Sequence, residues 1–171
     1  MEDFTIIKQL GEDGKDGIVS LVRFPNGLQC ACKQFRPKKS IKMIQKEVDF
    51  QCQAAAVGIA PQILHVDLDK RRFFMEAMEA RVVDVLNCNS VRFEKDLLDI
   101  MNQLDLLKIL HNDGNALNLM LDKHDNLKII DFGLSKKITP AVNRKWAGEP
   151  NVKVTYHMLK KGLNKYGIQI K

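Results

Sequence analysis

The stretch "ILHNDGNALNLMLDKHDNLKIIDFGLSKK" at residues 109–137 decides the fold and carries most of the recognisable chemistry. His111 stands two residues before Asp113, and Asn118 follows that Asp by five residues. An Asp-Phe-Gly triplet begins at Asp131, thirteen residues after the Asn. Carboxylate and amide oxygens in this order suit a site that orients a hydroxyl and holds a hard cation such as Mg²⁺.

The local pattern around these polar residues predicts a β-hairpin. Short apolar runs at 117–121 and 127–130 lie on either side of "DKHDN", a turn-forming segment. Such a hairpin would bring Asn118 and Asp131 to one end of a cleft. The competing interpretation is a polar hairpin with chance Asp residues.

Helical patterns lie on both sides of the hairpin. A stripe about four turns long precedes it. Its members are Phe93, Leu97, Ile100, Met101, Leu104 and Leu107. After residue 135, the tail holds Pro140, Gly148 and Pro150, which indicate loops, and a helix is predicted from about 152 to 161.

The sequence pattern of the N-terminal half predicts five strands and one helix in the order βββαββ. The strands are expected at 4–11, 17–24, 28–35, 62–68 and 71–78. Ser40 is the candidate N-cap of the helix, and Gly58 its end. The expected apolar stripe of that helix is Ile41, Ile44, Val48, Cys52 and Ala55.

Composition narrows the possible classes of function. The 171 residues are 45% hydrophobic and 28% charged, an ordinary globular balance. No apolar run approaches the ~18 residues that span a membrane, and the N-terminus has no secretory pattern, so no membrane partner is expected. The net charge is +6, but only 6% of residues are aromatic, so nucleic-acid binding is not predicted.

The cysteines indicate a reducing compartment. The four are Cys30, Cys32, Cys52 and Cys88, and they form neither a Cys-x-x-Cys pair nor a zinc pattern. We expect free thiols and a cytoplasmic protein. Cys30 and Cys32 alternate along a predicted strand and should share one of its faces.

Glycines at 11, 14 and 17 lie between the first two predicted strands. Glycine allows backbone amides to approach phosphate oxygens closely, although a glycine-rich turn with several acids can also be only a turn. Gly14, Gly17 and Val19 match the second half of the pattern G-x-G-x-x-G-x-V. Gly11 lies one residue too far upstream, which indicates an insertion.

Lys33 follows Ala31 and Cys32 on the third predicted strand, sixteen residues after Gly17. A lysine there could be an ordinary surface residue. If it instead holds phosphates, it needs a carboxylate partner, and the following helix offers Glu47. Asp49 is the rival partner, but it lies on another face of that helix.

These motifs together resemble the protein-kinase-like superfamily over residues 4 to about 137. The resemblance implies an α+β, bilobal fold: a five-stranded antiparallel small lobe with one helix, and a reduced, mainly helical large lobe. It implies a single domain over 1–171, with the small lobe at 1–78, the hinge at about 76–80 and the large lobe at 81–171. ATP and Mg²⁺ are the implied cofactors.

The resemblance also implies roles for individual residues. Asp113 would be the catalytic base, with Lys33 and Glu47 as its catalytic partners, and Asn118 and Asp131 would bind the metal. Met75 would be the gatekeeper, and the backbone from Glu76 to Met78 would bind adenine. The remaining nucleotide contacts would be Leu10, Gly11, Gly14, Gly17, Val19, Ala31, Met120 and Ile130, although ordinary packing would also explain the apolar members.

Four features depart from the family pattern. Asn112 replaces the usual Arg before the catalytic Asp, so control by phosphorylation of the activation loop is not expected. Asn115 stands where serine/threonine kinases carry a phosphate-contacting Lys. No A-P-E follows the Asp-Phe-Gly, and only 38 residues follow Gly133. We therefore expect a minimal atypical kinase, similar to small bacterial-effector or viral kinases.

The functional prediction is a monomeric serine/threonine protein kinase that acts on an unidentified protein substrate in the cytoplasm, or in a host cytoplasm if it is an effector. The alternatives are a kinase of a small molecule, lipid or sugar, and a nucleotide-binding module without catalysis. Ser135, Thr139 and Thr155 are candidate autophosphorylation sites, or simply solvated hydroxyls.

Overall fold

The computed structural model describes residues 3–85 and 91–170. Five strands form one antiparallel sheet in the order β1-β2-β3-β5-β4. They are β1 (Thr5–Gln9), β2 (Gly17–Arg23), β3 (Gln29–Phe35), β4 (Ile63–Asp67) and β5 (Arg72–Met75). Helix α1 (Ile41–Ala56) connects β3 to β4. The predicted order βββαββ is confirmed, and the sheet is compatible with the small lobe of a kinase.

Helix α1 begins where the sequence predicts, because the Ser40 hydroxyl accepts a hydrogen bond from the Met43 amide. Its buried face differs from the prediction. Ile41 is 38% exposed, and Cys52 is also exposed. The buried positions are Ile44, Glu47, Val48, Gln51, Ala54 and Ala55.

The difference arises because two polar side chains of α1 find partners in the interior. The Gln51 amide donates to the Pro61 carbonyl and to the sulfur of Met75. Glu47 accepts hydrogen bonds from two lysines, as described below. Paired polar groups can be buried without a large desolvation cost, so the helix turns this mixed face inward.

Strand β3 contributes to two apolar clusters, one on each of its faces. Cys30 and Cys32 lie on one face and pack with Phe24 and Phe74, so their predicted shared face is confirmed. Both are free thiols, as is exposed Cys52, whereas Cys88 lies outside the described residues. Burial raises the pKa of Cys32 to about 11, which makes it unreactive.

The second half contains short strands and helices around the predicted hairpin. The strands are β6 (Ala80–Arg81), β7 (Ile109–Leu110), β8 (Leu119–Leu121), β9 (Leu127–Ile129) and β10 (Lys136–Lys137). The α-helices are α2 (Val82–Val85), α3 (Val91–Leu106), α4 (Pro140–Lys145) and α5 (Tyr156–Asn164). Strands β8 and β9 form the hairpin, β6 extends it, and β10 pairs with β7.

The tail after residue 135 is more helical than predicted. The expectation of a loop at Pro140 is wrong, since Thr139 caps α4 and proline is tolerated in the first helical turn. The predicted helix at 152–161 is present, but it begins with a π-helical segment, Asn151–Thr155, and α5 ends at Asn164.

One apolar core joins α3, α5, the hairpin and the end of α1. The stripe of α3 is confirmed, because Phe93, Leu97, Ile100, Met101 and Leu104 are buried in that core. Ala55 of α1 and Ile59 belong to the same core, and the Ile59 carbonyl accepts from the Ile129 amide of β9. Helix α1 therefore touches both halves of the chain. No helix within the described ranges is long and apolar enough to span a membrane.

Candidate active site

Lys33 is held by a buried ion pair that joins β3 to α1. Its ammonium nitrogen lies 2.5 Å from a Glu47 carboxylate oxygen, and the Glu47 side chain is 1% exposed. The predicted choice of Glu47 over Asp49 agrees with this geometry. Asp49 is exposed and accepts instead from Gln45 within the same helix.

The same ammonium group also reaches Asp131, at 3.0 Å. Asp131 has a left-handed backbone (φ 63°), which is uncommon outside glycine and concentrates at functional sites. Its carboxylate accepts from the Gly133 amide, which fixes the side chain above the turn Phe132–Leu134. Lys33 therefore links the sheet to the Asp-Phe-Gly segment, 98 residues away in sequence.

These contacts keep both partners charged. Desolvation lowers the pKa of Lys33, but the charges and hydrogen bonds of Glu47 and Asp131 outweigh it, so the net shift is upward. Burial acts to raise the pKa of Asp131, and the Lys33 charge overcomes that effect and lowers it. Lys33 is thus a cation and Asp131 an anion at neutral pH.

Lys39 is a second buried lysine at this site, and no sequence motif predicts its role. Its ammonium lies 2.6 Å from the other Glu47 oxygen and 3.2 Å from Asp16, with 2% of the side chain exposed. The Phe35 ring lies 4.9 Å from the same ammonium. Its only signal in the sequence is the basic cluster "RPKK", which is also typical of a solvated surface.

The ions form one connected series, which we call the ionic chain. Its members are Asp16, Lys39, Glu47, Lys33 and Asp131. Gly133 lies directly against it. A Cβ atom at that position would lie 3.1–3.3 Å from Asp131, Glu47 and Lys39 side-chain atoms. The glycine of the Asp-Phe-Gly triplet thus leaves room for the charges.

Two aspartates of the glycine-rich turn fix its position through contacts with basic residues that follow β3. Asp13 pairs with Arg36, and Asp16 contacts both Lys39 and, through its carbonyl, the Arg36 amide. A Cβ at Gly17 would lie 2.2 Å from the Gln34 carbonyl, so only glycine fits the close approach to β3. Gly11 has φ +81° and lies apart from that approach.

Asp113 and Asn118 are direct partners. The Asn118 amide donates to one Asp113 oxygen at 2.8 Å, and the Asn115 backbone amide donates to the other at 3.0 Å. The carboxylate is only partly buried, so a hydroxyl could still approach it. Asn115 is exposed and caps the short turn Ala116–Asn118.

Asn112, the residue before Asp113, also has a left-handed backbone (φ 62°). Asn adopts that conformation more readily than Arg, which gives a local reason for its presence. Its side chain lies 3.5 Å from the Leu134 carbonyl, so it spans from the loop to the Asp-Phe-Gly segment.

His111 and Asn151 anchor this loop from behind, and we call their surroundings the amide network. Its members are Asp105, His111, Asn151 and Thr155. The Asn151 side chain accepts from the His111 amide and the Thr155 hydroxyl, and it donates to Asp105 and to the Ile109 carbonyl. Asn151 and Asp105 could not be predicted from the sequence, because neither belongs to a local motif.

The His111 ring is neutral. One ring nitrogen lies 3.1 Å from the Ile130 carbonyl, which requires a proton on that nitrogen. The other nitrogen has no hydrogen-bond partner within the described parts of the chain. Burial lowers the pKa of the ring, and the Ile130 contact offsets this only in part.

The candidate adenine contacts divide into two groups. Leu10, Val19, Ala31 and Met75 belong to one apolar cluster under the sheet. Met120 of β8 and Ile130 are half-buried and lie on the hairpin side. Glu76 bonds to Gln62 through both its amide and its carboxylate, which fixes the start of the segment predicted as the hinge, and Met78 follows two residues later.

The donors present fit Mg²⁺ rather than a transition metal. Asn118 and Asp131 offer hard oxygens, which Mg²⁺ prefers. Within residues 3–85 and 91–170, no group of three or more His, Cys, Asp or Glu side chains could hold a metal ion alone. Phosphate oxygens and water would have to complete the coordination, as is usual for Mg²⁺ bound with a nucleotide.

The candidate autophosphorylation sites are less accessible than expected. Ser135 is 3% exposed and donates to the His111 carbonyl, and Thr155 is fully buried and bonded to Asn151. Solvated hydroxyls were the wrong expectation for both. Thr139 is exposed, although its oxygen caps α4.

Comparison with known proteins gives partial similarities to kinases. No protein-family model matches the chain. A probable serine/threonine-protein kinase of Dictyostelium discoideum is 58% identical over 36 residues, 21% of this chain and 4% of that protein. Mitogen-activated protein kinase KSS1 of Saccharomyces cerevisiae is 20% identical over 188 aligned positions, 90% of this chain and 51% of that protein.

A third protein with a similar stretch of sequence is not named as a kinase. A probable bifunctional tRNA threonylcarbamoyladenosine biosynthesis protein of Methanocaldococcus jannaschii is 32% identical over 77 residues, 45% of this chain and 14% of that protein. The chain spans about half the length of the yeast kinase and much less of the other two.

The similarities to kinases agree with the resemblance that the motif order indicates, and the five-stranded sheet is compatible with it. Similarity to serine/threonine kinases is indicated by the names of the relatives.

Proposed function

We propose that this chain transfers the γ-phosphate of ATP, bound with Mg²⁺, to a serine or threonine hydroxyl of a protein. The observation that carries the proposal is the convergence on Lys33, which contacts both Glu47 and Asp131. A scaffold has no need for a lysine held between two carboxylates in this way, whereas a phosphate-binding lysine needs such orientation.

Each polar residue has a role in the proposed mechanism. Lys33, oriented by Glu47, contacts phosphate oxygens, and Asn118 and Asp131 hold the cation. Mg²⁺, when bound, neutralises the phosphate charge and orients the triphosphate. The apolar cluster that includes Val19 and Met75 covers the adenine. Phosphoryl transfer needs mainly such positioning and charge stabilisation.

Asp113 accepts the proton of the attacking hydroxyl. The hydroxyl oxygen forms its bond to the γ-phosphorus while the bond from that phosphorus to the bridging oxygen breaks, and ADP leaves. The hydrogen bond from Asn118 keeps the carboxylate turned toward the acceptor. No activation-loop phosphate is required, since Asn112 stands in place of the arginine that would bind it.

A kinase of a small molecule, lipid or sugar is the second candidate. It is favoured by Asn115, which replaces the phosphate-contacting lysine of serine/threonine kinases. Radiolabelled ATP with Mg²⁺ distinguishes the candidates in a cell lysate. Label in protein supports the first and label only in metabolites supports the second, while nucleotide binding without transfer indicates a binding module.

The matched variant for this experiment is Asp113→Asn, which keeps the size of the side chain and one of its two contacts, with the Asn118 side chain or the Asn115 amide. We expect nucleotide binding to persist and transfer to fall about 10²-fold or more, because the proton acceptor is lost. Unchanged transfer would remove Asp113 from the mechanism.

A further inference from the structure

Charge is unevenly distributed along the chain. Residues 134–171 contain nine Lys and Arg but a single acid, Glu149. Residues 1–133 contain the other 18 basic residues and 20 acids. The net charge of +6 thus combines a segment of +8 after the Asp-Phe-Gly triplet with a remainder of −2. The basic residues of the segment are Lys136, Lys137, Arg144, Lys145, Lys153, Lys160, Lys161, Lys165 and Lys171.

Two of these lysines lie on the strand beside the catalytic loop. In the pairing of β10 with β7, Lys136 lies opposite Leu110 and Lys137 opposite Ile109. Both lysine side chains are exposed. Strand β7 leads directly into His111, so the two cations lie on the strand that pairs with the start of the loop that carries Asp113.

Helix α5 brings two more lysines to the same loop. Gly114, the residue after Asp113, lies so close to α5 that a Cβ there would be 2.3 Å from the Met158 Cβ. A Cβ at Gly162 would be 2.7 Å from the Gly114 carbonyl. Lys161 precedes Gly162 in the helix, and Lys165 follows it by three residues; both are exposed.

These four residues, Lys136, Lys137, Lys161 and Lys165, constitute what we call the basic surface. Within the described ranges, none of them forms an ion pair with a carboxylate, whereas Lys153 of the same segment pairs with Glu149 at 3.5 Å. Unpaired cations repel one another and favour an anionic partner.

We propose that the phosphate acceptor is a serine or threonine within an acidic polypeptide segment, which docks on the basic surface beside Asp113. The inference rests on the proposed protein kinase function and specifies its substrate class. Lysines on two separate elements next to the loop suit an extended chain that carries several carboxylates past the active site.

The surface is less suited to nucleic acid. Strand-binding proteins combine cations with exposed aromatic rings on which bases stack. Of the rings in the basic segment, Tyr156 is buried and Trp146 is half-buried beside Lys145. Tyr166 is 50% exposed, at the end of α5. The cations are mostly lysine, which offers point charges rather than the planar donors of arginine.

Two short peptides test the inference, each with one central serine, flanked by Asp in one and by Lys in the other. Fluorescence polarisation measures binding without requiring catalysis, and radiolabelled ATP measures transfer. We expect the acidic peptide to bind and to be phosphorylated at least about tenfold better, with the preference falling as salt rises.

The diagnostic variant is Lys161→Glu/Lys165→Glu, and its matched control is Lys42→Glu/Lys46→Glu. Both pairs are exposed lysines four residues apart, on α1 for the control and at the end of α5 for the variant, and both changes alter the charge equally. We expect about tenfold weaker binding of the acidic peptide for the first and less than twofold for the second. Lys161→Gln/Lys165→Gln, which adds no negative charge at the helix end, should show a smaller loss in the same direction with an unchanged melting temperature.

The outcomes separate this inference from the proposed function. Equal use of both peptides, or equal losses in the two Glu variants, would overturn the acidic acceptor and leave the kinase function standing. Acidic peptide binding that depends on Lys161 and Lys165, without any phosphate transfer, would support the surface and contradict the kinase function. An RNA oligonucleotide that binds tightly where the acidic peptide does not would overturn the polypeptide assignment.

Discussion

The ionic chain and the amide network are both buried polar clusters, yet they differ in what remains free at their ends. The ionic chain ends in two half-exposed carboxylates, since the side chains of Asp16 and Asp131 are 42% and 45% exposed. In the amide network, every polar atom of the Asn151 side chain is bonded to protein, and the residue is 0% exposed.

This difference assigns ligand binding to the ionic chain and stabilisation of the fold to the amide network. The members of the amide network are all buried, so this cluster is closed to a ligand and instead fixes the loop that carries Asp113. A cluster with accessible charged ends can exchange its internal partners for phosphate and metal. In the proposed mechanism, Lys33 leaves Asp131 for a phosphate oxygen while Glu47 still holds it. Variants in the two clusters should therefore separate activity from stability.

The largest effect is expected from Lys33→Met. Loss of a charged group at the phosphates should lower the rate of transfer by about 10³-fold. The melting temperature should change little, because Glu47 keeps its partner Lys39. Initial rates with radiolabelled ATP, together with a thermal melt, check both parts. A variant that unfolds would show that the ionic chain is structural.

Asn151→Ala should lower stability more than activity, which is the opposite of Lys33→Met. It removes one donor from the buried Asp105 carboxylate, which keeps the backbone amides of residue 151 and Val152. It also leaves the His111 amide and the Ile109 carbonyl without their side-chain partner, and together these losses should cost about 3 kcal/mol of unfolding free energy. Chemical denaturation measures this, with Asn164→Ala at the exposed end of α5 as the control. A loss below about 1 kcal/mol would show that the network is not needed for stability.

Two glycine-to-alanine substitutions, one in each region, compare the regions through the same chemical change. Gly114→Ala collides with Met158 and should destabilise the protein by about 1–3 kcal/mol through overpacking. Gly133→Ala meets only side-chain atoms of the ionic chain at 3.1–3.3 Å, so it should lower activity more than stability. If both variants lose stability equally, the two regions are not distinct.

Lys39→Met tests the middle of the ionic chain. Glu47 retains Lys33, but the link to Asp16 and the glycine-rich turn is lost, so we expect the KM for ATP to rise about tenfold with a smaller change in kcat. Lys39→Arg should restore part of the affinity. A fall in kcat alone would place Lys39 elsewhere in the mechanism.

The smallest expected effect is the change of stability with pH. Because burial lowers the pKa of His111, the folded protein binds fewer protons than the unfolded chain just below the ordinary histidine pKa of about 6.5. Stability is therefore full above that value and is lost as the pH falls. The melting temperature should drop between about pH 7.5 and 5.5, and His111→Phe should reduce this slope; a slope that His111→Phe leaves unchanged would assign it to other groups.

The sequence predicted the element order βββαββ, the hairpin and the Lys33–Glu47 pair because each follows from local patterns or motif spacing. It missed the buried face of α1, since Glu47 and Gln51 are polar and their partners lie elsewhere in the chain. Lys39 and Asn151 were missed for the same reason. Their roles depend on contacts with distant residues, 23 positions away for Asp16 and 46 for Asp105.

The most direct test of the proposed site compares Asp131→Asn with Asp125→Asn. Both residues lie in or next to the hairpin region with left-handed backbones, φ 63° and 60°, and Asn tolerates that conformation. The measurement is the rate of phosphate transfer from ATP across a Mg²⁺ titration. We predict that Asp131→Asn lowers the rate about 10²-fold or more and weakens the Mg²⁺ dependence, while Asp125→Asn matches the unaltered protein. Equal rates for Asp131→Asn and the unaltered protein would contradict the assignment of this site to phosphoryl transfer.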